Sequence, residues 1–215
     1  MSKIINEPGQ MDTRESRISL PPVSFSSSTS IEEAILNRRS VRDYLDRPIS
    51  LEQLGQLLWA AQGINRPETG KRTAPSAGAQ YPLEFYVVAR DIEGLPVGIY
   101  KYSPQGHELS RFVRADLIER LATAAINQDW IADAAAVLVI SAVFQRTTSR
   151  YGQRGERYVY MDAGIAAQNV YLQAGSLGLG TVFVGAFDDE QVHSVLGLPG
   201  EERPLCLLPV GWPVN

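Results

Sequence analysis

The sequence of 215 residues has little cysteine, little histidine and no long apolar run. Its one cysteine, Cys206, excludes an intramolecular disulfide and is typical of a reducing cytoplasm, where we expect the protein to work. Its two histidines, His107 and His193, have no second His, Cys or paired acid at ligand spacing, so we expect no metal site. No apolar run approaches the roughly 20 residues that a membrane helix needs, and we expect no membrane partner.

Positive charge is also in deficit. Lys and Arg number 20 against 24 Asp and Glu, which gives a formal net charge of −4. Nucleic-acid binding needs a broad basic face, so we expect no nucleic-acid partner. The composition, 44% hydrophobic and 20% charged, is that of an ordinary globular protein. Any basic cluster is therefore expected to be local and to serve a small ligand.

The order of helix and strand signals predicts an α+β protein with a mostly antiparallel sheet. Residues 1–29 carry no periodicity and are interpreted as a tail or arm, followed by one domain over residues 30–215. Ser30 and Ser50 are typical helix N-caps, and Gly63 is expected to end the second helix. Further helices are predicted at Leu117–Asn127, Arg157–Ser176 and Asp188–Leu196, and strands at Glu84–Ala89, Gly98–Tyr102, Ala136–Val143, Thr181–Ala186 and Leu205–Val210.

The longest predicted helix carries a stripe of small residues, formed by Ala163, Ala167, Val170 and Ala174. Such a stripe lets another helix approach closely. The stripe fits a central helix in the core of a monomer about as well as a helix at a subunit interface. Because the helix is apolar on nearly every face, we favour a homodimer interface.

A short basic segment, Arg38-Arg39-Ser40-Val41-Arg42, follows the first predicted helix. In an extended chain Arg38, Ser40 and Arg42 would point the same way, since side chains alternate with period two. Two guanidinium groups and a hydroxyl suit a terminal phosphate. The alternative is a solvated basic helix end, and taken alone the segment favours that alternative.

Two further segments are suited to a flat ligand. The small residues Pro75, Ser76, Ala77, Gly78 and Ala79 end a long loop and would let the backbone come close to a ring. In the segment Val182–Asp188, an apolar strand opens into Gly185 and Ala186 where the next helix begins, and N–H groups there favour negative charge. In isolation each segment is explained as well by an ordinary turn or connection.

Taken in chain order, the basic segment, Pro75–Ala79, the long helix Tyr160–Leu179, the segment at Val182–Asp188 and Leu208–Gly211 together resemble the nitroreductase-like flavoproteins. The resemblance runs from about Ile31 to Pro213. Details in Arg72–Val88, Gly98–Leu109 and Arg150–Tyr158 are most similar to the SagB-type dehydrogenase branch. The resemblance implies an FMN-binding homodimer with two sites at the subunit interface. It also implies the cofactor-binding residues, which are Arg38, Arg39, Ser40 and Arg42 for phosphate and ribityl groups, Pro75, Ser76, Ala77, Gly78 and Ala79 from the other subunit, Val184, Gly185 and Ala186 facing the ring, and Gly211 near the phosphate.

Two departures from the family pattern qualify what the resemblance implies. Many members carry a further basic residue beyond the last strand, whereas this sequence stops at Asn215, which shifts the burden to Arg38 and Arg42 with help from Lys71 or Arg72. Members that oxidise azolines are expected to have Lys-Tyr where this chain has Arg150-Tyr151, and an arginine does not exchange a proton as a lysine can.

The resemblance implies an oxidoreductase that takes hydride from NADH or NADPH onto FMN and passes electrons to a small acceptor such as a quinone or a nitroaromatic. We expect no side chain to act as a covalent catalyst, because the flavin supplies the chemistry. Two alternatives stay open: a SagB-type dehydrogenase that oxidises a peptide-derived or small heterocyclic substrate, and a flavin-binding or partner-binding protein without turnover.

Overall fold

In the computed structural model, which describes residues 17–214, the first two helices begin where the sequence places caps. The Ser30 hydroxyl accepts the N–H of Glu33, and Ser50 forms a reciprocal capping box with Gln53. The second helix ends at Gly63, as predicted. The six helices of the described residues are α1 (Ile31–Asn37), α2 (Leu51–Gln62), α3 (Ile118–Ala124), α4 (Gln145–Tyr151), α5 (Arg154–Ser176) and α6 (Asp189–Leu196).

An eight-stranded sheet forms the centre of the protein. The ten strands of the described residues are β1 (Arg17–Ser19), β2 (Tyr44–Leu45), β3 (Ile64–Arg66), β4 (Lys71–Arg72), β5 (Leu83–Ala89), β6 (Gly98–Ser103), β7 (Glu108–Val113), β8 (Ala136–Val143), β9 (Gly180–Thr181) and β10 (Glu202–Pro213). Eight of them form the central sheet in the order β1-β7-β6-β5-β8-β10-β2, with β9 also paired to β10, and β3 and β4 form a separate hairpin. All these strand pairs are antiparallel, which confirms the predicted fold class.

Both faces of the sheet are covered, which explains the nearly continuous apolar sequence of its central strands. On β5, Phe85 and Val87 belong to the core cluster that contains the buried residues of α2 and α5. Tyr86 and Val88 belong to a second cluster, on the side of α3 and α6. The sheet therefore lies between two layers of helices, and α5 packs against α2 on one side of it.

The small-residue stripe of α5 lies in the core of its own chain. Its four members, Ala163, Ala167, Val170 and Ala174, are at most 3% exposed. The prediction that this stripe forms the subunit interface is therefore wrong: close approach by α2 and the sheet already uses it. The outward face of α5 carries Met161 and Ile165 instead, which are 53% and 42% exposed, together with Gly164.

The described part of the predicted N-terminal arm is built into the fold. Arg17–Ser19 pairs with β7 at the edge of the sheet, and Leu20 is buried. Farther along, Phe25 packs edge-to-face against Trp59, with ring centroids 5.6 Å apart. Residues 1–16 of that predicted arm lie outside the described residues.

The observed elements differ from the predicted ones in several places. The sequence analysis did not identify β1, β2, β7 or α4, and the long loop before residue 78 contains the β3–β4 hairpin. The predicted strand Thr181–Ala186 is wrong beyond Thr181, because the chain then leaves β10 and returns only at Val184, which bridges to Leu207. Among residues 17–214, no helix is long and apolar enough to cross a membrane.

Candidate functional site

Tyr171 on α5 is the residue around which the basic segment is arranged. The guanidinium carbon of Arg38 lies 5.3 Å from the centre of the Tyr171 ring, and the Ser40 hydroxyl lies 3.2 Å from the Tyr171 hydroxyl. Arg38 and Arg39 are exposed, and neither has a carboxylate within 4.0 Å in the described part of the chain. Two cations are therefore available to a ligand beside a polar hydroxyl pair.

Arg42 diverges from its two predicted companions. Its guanidinium lies over the ring of Trp130, at 5.8 Å, and not over Tyr171. The predicted alternation of side chains therefore brings Arg38 and Ser40 to Tyr171, but it does not bring Arg42 there. Trp130 stands next to Gln128, whose side chain donates to the carbonyl of Ala186 at 2.9 Å. Arg42 therefore lies on the side of the segment that holds Gly185 and Ala186.

The same Tyr171 hydroxyl connects the basic segment to the third predicted segment. It accepts the backbone N–H of Phe183 at 2.7 Å. Gly185 and Ala186 are exposed, and their N–H groups have no hydrogen-bond partner within residues 17–214. Val184 differs from the prediction, because its N–H and carbonyl both pair with Leu207 and its side chain is buried. Of the three residues predicted to face a ring, two can offer backbone donors and Val184 cannot.

The second predicted segment is held at the other end of α5. Gly78 and Ala79 have positive φ values of 59° and 54°, within a short 3-10 helix. The Ser76 hydroxyl accepts the N–H of Tyr81 at 2.9 Å. Asp162 on α5 is buried beneath this loop, and its Oδ2 atom has no hydrogen-bond partner within residues 17–214. The nearby Ser76 hydroxyl and Ala77 N–H lower the pKa of Asp162, but burial outweighs them and leaves that pKa above its usual value.

Arg150 and Tyr151 of α4 flank the same loop. Arg150 Nη1 lies 3.5 Å from the carbonyl of Gly78. A Cβ atom at position 78 would fall 2.5 Å from the Tyr151 hydroxyl, so only glycine leaves room for this approach. Arg150 and Tyr151, to which the sequence analysis assigned no binding role, therefore lie against the Pro75–Ala79 segment, which is predicted to meet the ring.

Within one chain the structure does not bring all the predicted residues together. Asp162 and Tyr171 are nine residues apart on α5, a rise of about 13 Å. A cleft of about 420 Å³ lies at the Tyr171 end, and none of the residues 75–79 lines it. Lys71 and Arg72 lie at the other end: the Arg72 guanidinium donates to Gln62 and stacks on Tyr81. They cannot assist Arg38 of the same chain.

Backbone strain is concentrated in the loops beside the two groups of residues. Five non-glycine residues of the described chain have positive φ, and four of them are Ala79, Tyr81, Ile126 and Asn127. The first two are in the loop beside Asp162, and the others adjoin Gln128, which binds Ala186. Positive φ is rare for a β-branched residue such as Ile126, and such strain clusters at binding sites.

Gly211 is buried, and its surroundings give it a structural role in packing. A Cβ atom there would lie 2.9 Å from the Tyr44 ring, whose hydroxyl donates to the carbonyls of Val41 and Pro209. Burial raises the pKa of Tyr44 well above its usual value, which keeps this hydroxyl protonated as a donor. Gly211 therefore supports the basic segment from behind, and its place near the phosphate stays a prediction.

Sequence reasoning missed Tyr171 and Asp162, the two α5 residues that hold the two loops. Both are polar residues inside a largely apolar helix, and that contrast was the available signal. Thr181, at the end of β9, was also missed. Its buried hydroxyl has no partner within residues 17–214, and it lines the cleft beside Arg38.

Comparison with known proteins gives consistent matches over nearly the whole chain. The model of the nitroreductase family matches residues 35–212. A Methanocaldococcus jannaschii protein provisionally named a nitroreductase is 48% identical over 200 residues, which are 93% of this chain and 97% of that protein. The Bacillus subtilis protein named FMN reductase (NADPH) is 25% identical over a match that covers 85% of this chain and 66% of that protein. A Ralstonia eutropha structure, provisionally named a nitroreductase, has a TM-score of 0.83 and 31% identity, covering 100% of this chain and 97% of that chain.

The role of Gly211 yields a testable prediction. Gly211→Ala should lower the free energy of unfolding by about 1–3 kcal/mol, because the added methyl group displaces the Tyr44 ring. Gly200→Ala is the matched control, since nothing lies within 4 Å of its added Cβ, and its effect should stay within about 0.5 kcal/mol. Urea denaturation followed by fluorescence measures both. Equal effects of the two substitutions would contradict the packing of Gly211 against Tyr44.

Proposed function

Since the chain belongs to the nitroreductase family, we propose that it works as an FMN-dependent oxidoreductase, taking hydride from NADH or NADPH and passing electrons to a small organic acceptor. The single observation that carries this proposal is the Tyr171 hydroxyl, which joins unpaired cations on one side to free backbone donors on the other. Bound FMN would supply the hydride and electron chemistry that no side chain offers.

The basic segment fits the phosphate of FMN. Arg38 and Arg39 are exposed cations without a carboxylate partner in the described residues, and the Ser40 hydroxyl lies beside them. Guanidinium groups bind phosphate through charge-assisted hydrogen bonds, which are among the stronger ones in proteins. The buried Thr181 hydroxyl, unpartnered within residues 17–214, is a further polar group in the same cleft. These residues would hold the anionic end of the cofactor.

The segment after Phe183 fits the polar edge of the ring. The N–H groups of Gly185 and Ala186 are exposed and unpaired in the described chain, so they can donate to ring oxygen or nitrogen atoms. Arg42 lies on the same side, with its guanidinium over Trp130. Donors and a cation at that edge would favour negative charge on the ring, which accumulates there when the cofactor is reduced.

A homodimer would complete the site. The loop of Ser76 and Gly78 and the segment of Arg38 lie at opposite ends of α5. An isologous dimer places the same surface of each chain against the other, so antiparallel α5 helices would bring the loop of one chain to the basic segment of its partner. The outward face of α5, with exposed Met161, Gly164 and Ile165, is the surface on which two chains would pack.

One alternative has an observation in its favour. Arg150 and Tyr151 border the Gly78 loop, where a SagB-type dehydrogenase acting on a heterocyclic substrate would be expected to use Lys-Tyr. An arginine in place of lysine does not exchange a proton near neutral pH. We therefore place reduction of an acceptor first, and oxidation of a heterocycle by a route that uses no lysine second.

The experiment that tests this function is anaerobic reduction of the bound flavin. We expect purified protein to be yellow, to release FMN and not FAD on denaturation, and to lose its visible absorbance with NADH or NADPH. A quinone added afterwards should restore the absorbance. Colourless protein that takes up no FMN would contradict the cofactor, and FMN that stays oxidised with excess NADH and NADPH would contradict the direction of electron flow.

The basic segment can be tested separately from turnover. Arg38→Ala with Arg39→Ala removes the two exposed cations beside the Ser40 hydroxyl. It should leave a folded protein that binds FMN at least about a hundredfold more weakly, because charge-assisted hydrogen bonds contribute roughly 1.5–3 kcal/mol each. Arg120→Ala, which removes an exposed arginine from α3, is the matched control and should change nothing. Titration of apoprotein with FMN measures both. A change below about fivefold in the double variant would place the phosphate elsewhere.

A further inference from the structure

Two arginines and two tyrosines form a compact group where α4 meets α5. Arg150 lies over the Tyr151 ring at 5.5 Å, and Arg154 lies over the Tyr158 ring at 5.9 Å. The two rings meet edge to face, with centroids 5.2 Å apart. We call these four residues the arginine–tyrosine shelf. Stacking on aromatic rings fixes the plane of each guanidinium and leaves its N–H edge available to a ligand.

The charges of the shelf are not neutralised by the protein. Arg150 and Arg154 are exposed, and within residues 17–214 neither has a carboxylate within 4.0 Å. Arg146, one turn before Arg150, shows the contrast: it is paired with Glu84 and donates to the carbonyl of Tyr81. Arg146 is therefore part of the scaffold, whereas the two cations of the shelf have no carboxylate partner in the described residues.

The shelf borders the loop of the proposed ring site. Arg150 reaches the carbonyl of Gly78 at 3.5 Å, a long contact that occupies one of its five donors at most. The Tyr151 hydroxyl stands over Gly78, in the space that a side chain would fill. A molecule bound against this loop would therefore have the Arg150 guanidinium at its edge, and Arg154 is connected to that position through the contact between the Tyr151 and Tyr158 rings.

We propose that the arginine–tyrosine shelf recognises an anionic group, a carboxylate or a phosphate, on a substrate that reaches the ring. The proposal rests on the proposed function for its location, because the ring is placed at Gly78 by that assignment. The anionic group has two sources, a carboxylate on the electron acceptor or the additional phosphate of NADPH. Both would be bound by the same planar, fixed guanidinium donors.

The test compares acceptors that differ in charge and little in shape, para-nitrobenzoate and para-nitrobenzamide, each with NADH and with NADPH. The parent protein should show a higher kcat/KM for the anionic acceptor, or for NADPH over NADH. Arg150→Gln with Arg154→Gln should reduce that preference about tenfold, as two partly screened charges can provide, and leave the neutral acceptor with NADH unchanged. Arg120→Gln is the matched control and should leave every ratio unchanged.

A fall in the ratio of kcat/KM for para-nitrobenzoate over para-nitrobenzamide would identify the acceptor as the source of the anion. A fall in the ratio for NADPH over NADH would identify NADPH. A preference that is absent from the parent, or that survives in the double variant, would overturn the proposal. So would an equal loss on all four substrate pairs, because a merely structural role of Arg150 against Gly78 would affect neutral and anionic substrates alike.

Calorimetric titration with benzoate and benzamide separates this proposal from the proposed function. If FMN stays oxidised with excess NADH and NADPH but benzoate still binds more tightly than benzamide, and only when Arg150 and Arg154 are present, the proposed function is contradicted and the role of the shelf is supported. If turnover occurs and neither benzoate binding nor any charge preference depends on the two arginines, the function stands and the shelf fails.

Discussion

Helix α5 fixes the distance on which the arrangement of the whole site depends. Its inner face is locked into the core by Ala163, Ala167 and Val170, and a close-packed interior does not let a helix slide to adjust its ends. Asp162 holds one loop and Tyr171 holds the other, so the two loops keep a separation of about 13 Å along the helix. A ligand that needs both must either span that length in one chain or meet the second loop on another chain.

Backbone strain is stored in two loops, one around Ala79 beside Asp162 and one at Ile126 and Asn127 after α3. Non-glycine residues with positive φ cost roughly 1–3 kcal/mol each, and four of them lie in these loops. On one side Ser76 and Asp162 fix the backbone around Ala79, and on the other Gln128 ties the loop of Ile126 to Ala186. Because the rigid core of sheet and helices holds these strained loops, their backbone donors are in position before a ligand binds. A preorganised site loses less conformational freedom on binding and therefore binds more tightly.

The sequence predicted those parts of the fold whose signals are local. Ser30, Ser50 and Gly63 set helix ends through hydrogen bonds to their own neighbours, and the central strands were recognisable because both of their faces are buried. The segment after Thr181 was misassigned because Val182 is buried by packing alone and Val184 makes only an isolated bridge to Leu207, a distinction from a continuous strand that composition does not carry.

For the site, the sequence supplied the segments and not their arrangement. The basic segment and the glycine-containing loops were identified as segments, and family membership is confirmed, whereas the SagB-type branch stays a prediction. Tyr171 and Asp162 could not be identified as the residues that hold those segments, since their roles come from contacts across the fold. The stripe of small residues on α5 fitted two packings equally, and only the structure places it in the core.

The central claim is that each FMN site is shared between two chains, and subunit complementation tests it most directly. One variant, Arg38→Ala with Arg39→Ala, loses the two cations of the basic segment beside Tyr171 and keeps the loop. The other, Gly78→Val, loses the loop and keeps the basic segment. Mixed dimers would be isolated with two different affinity tags and their FMN content measured. In a shared site the intact halves meet once, so we expect about one FMN per mixed dimer and almost none in either parent variant. Mixed dimers without FMN would contradict the account, because each chain would then be using only its own, damaged site.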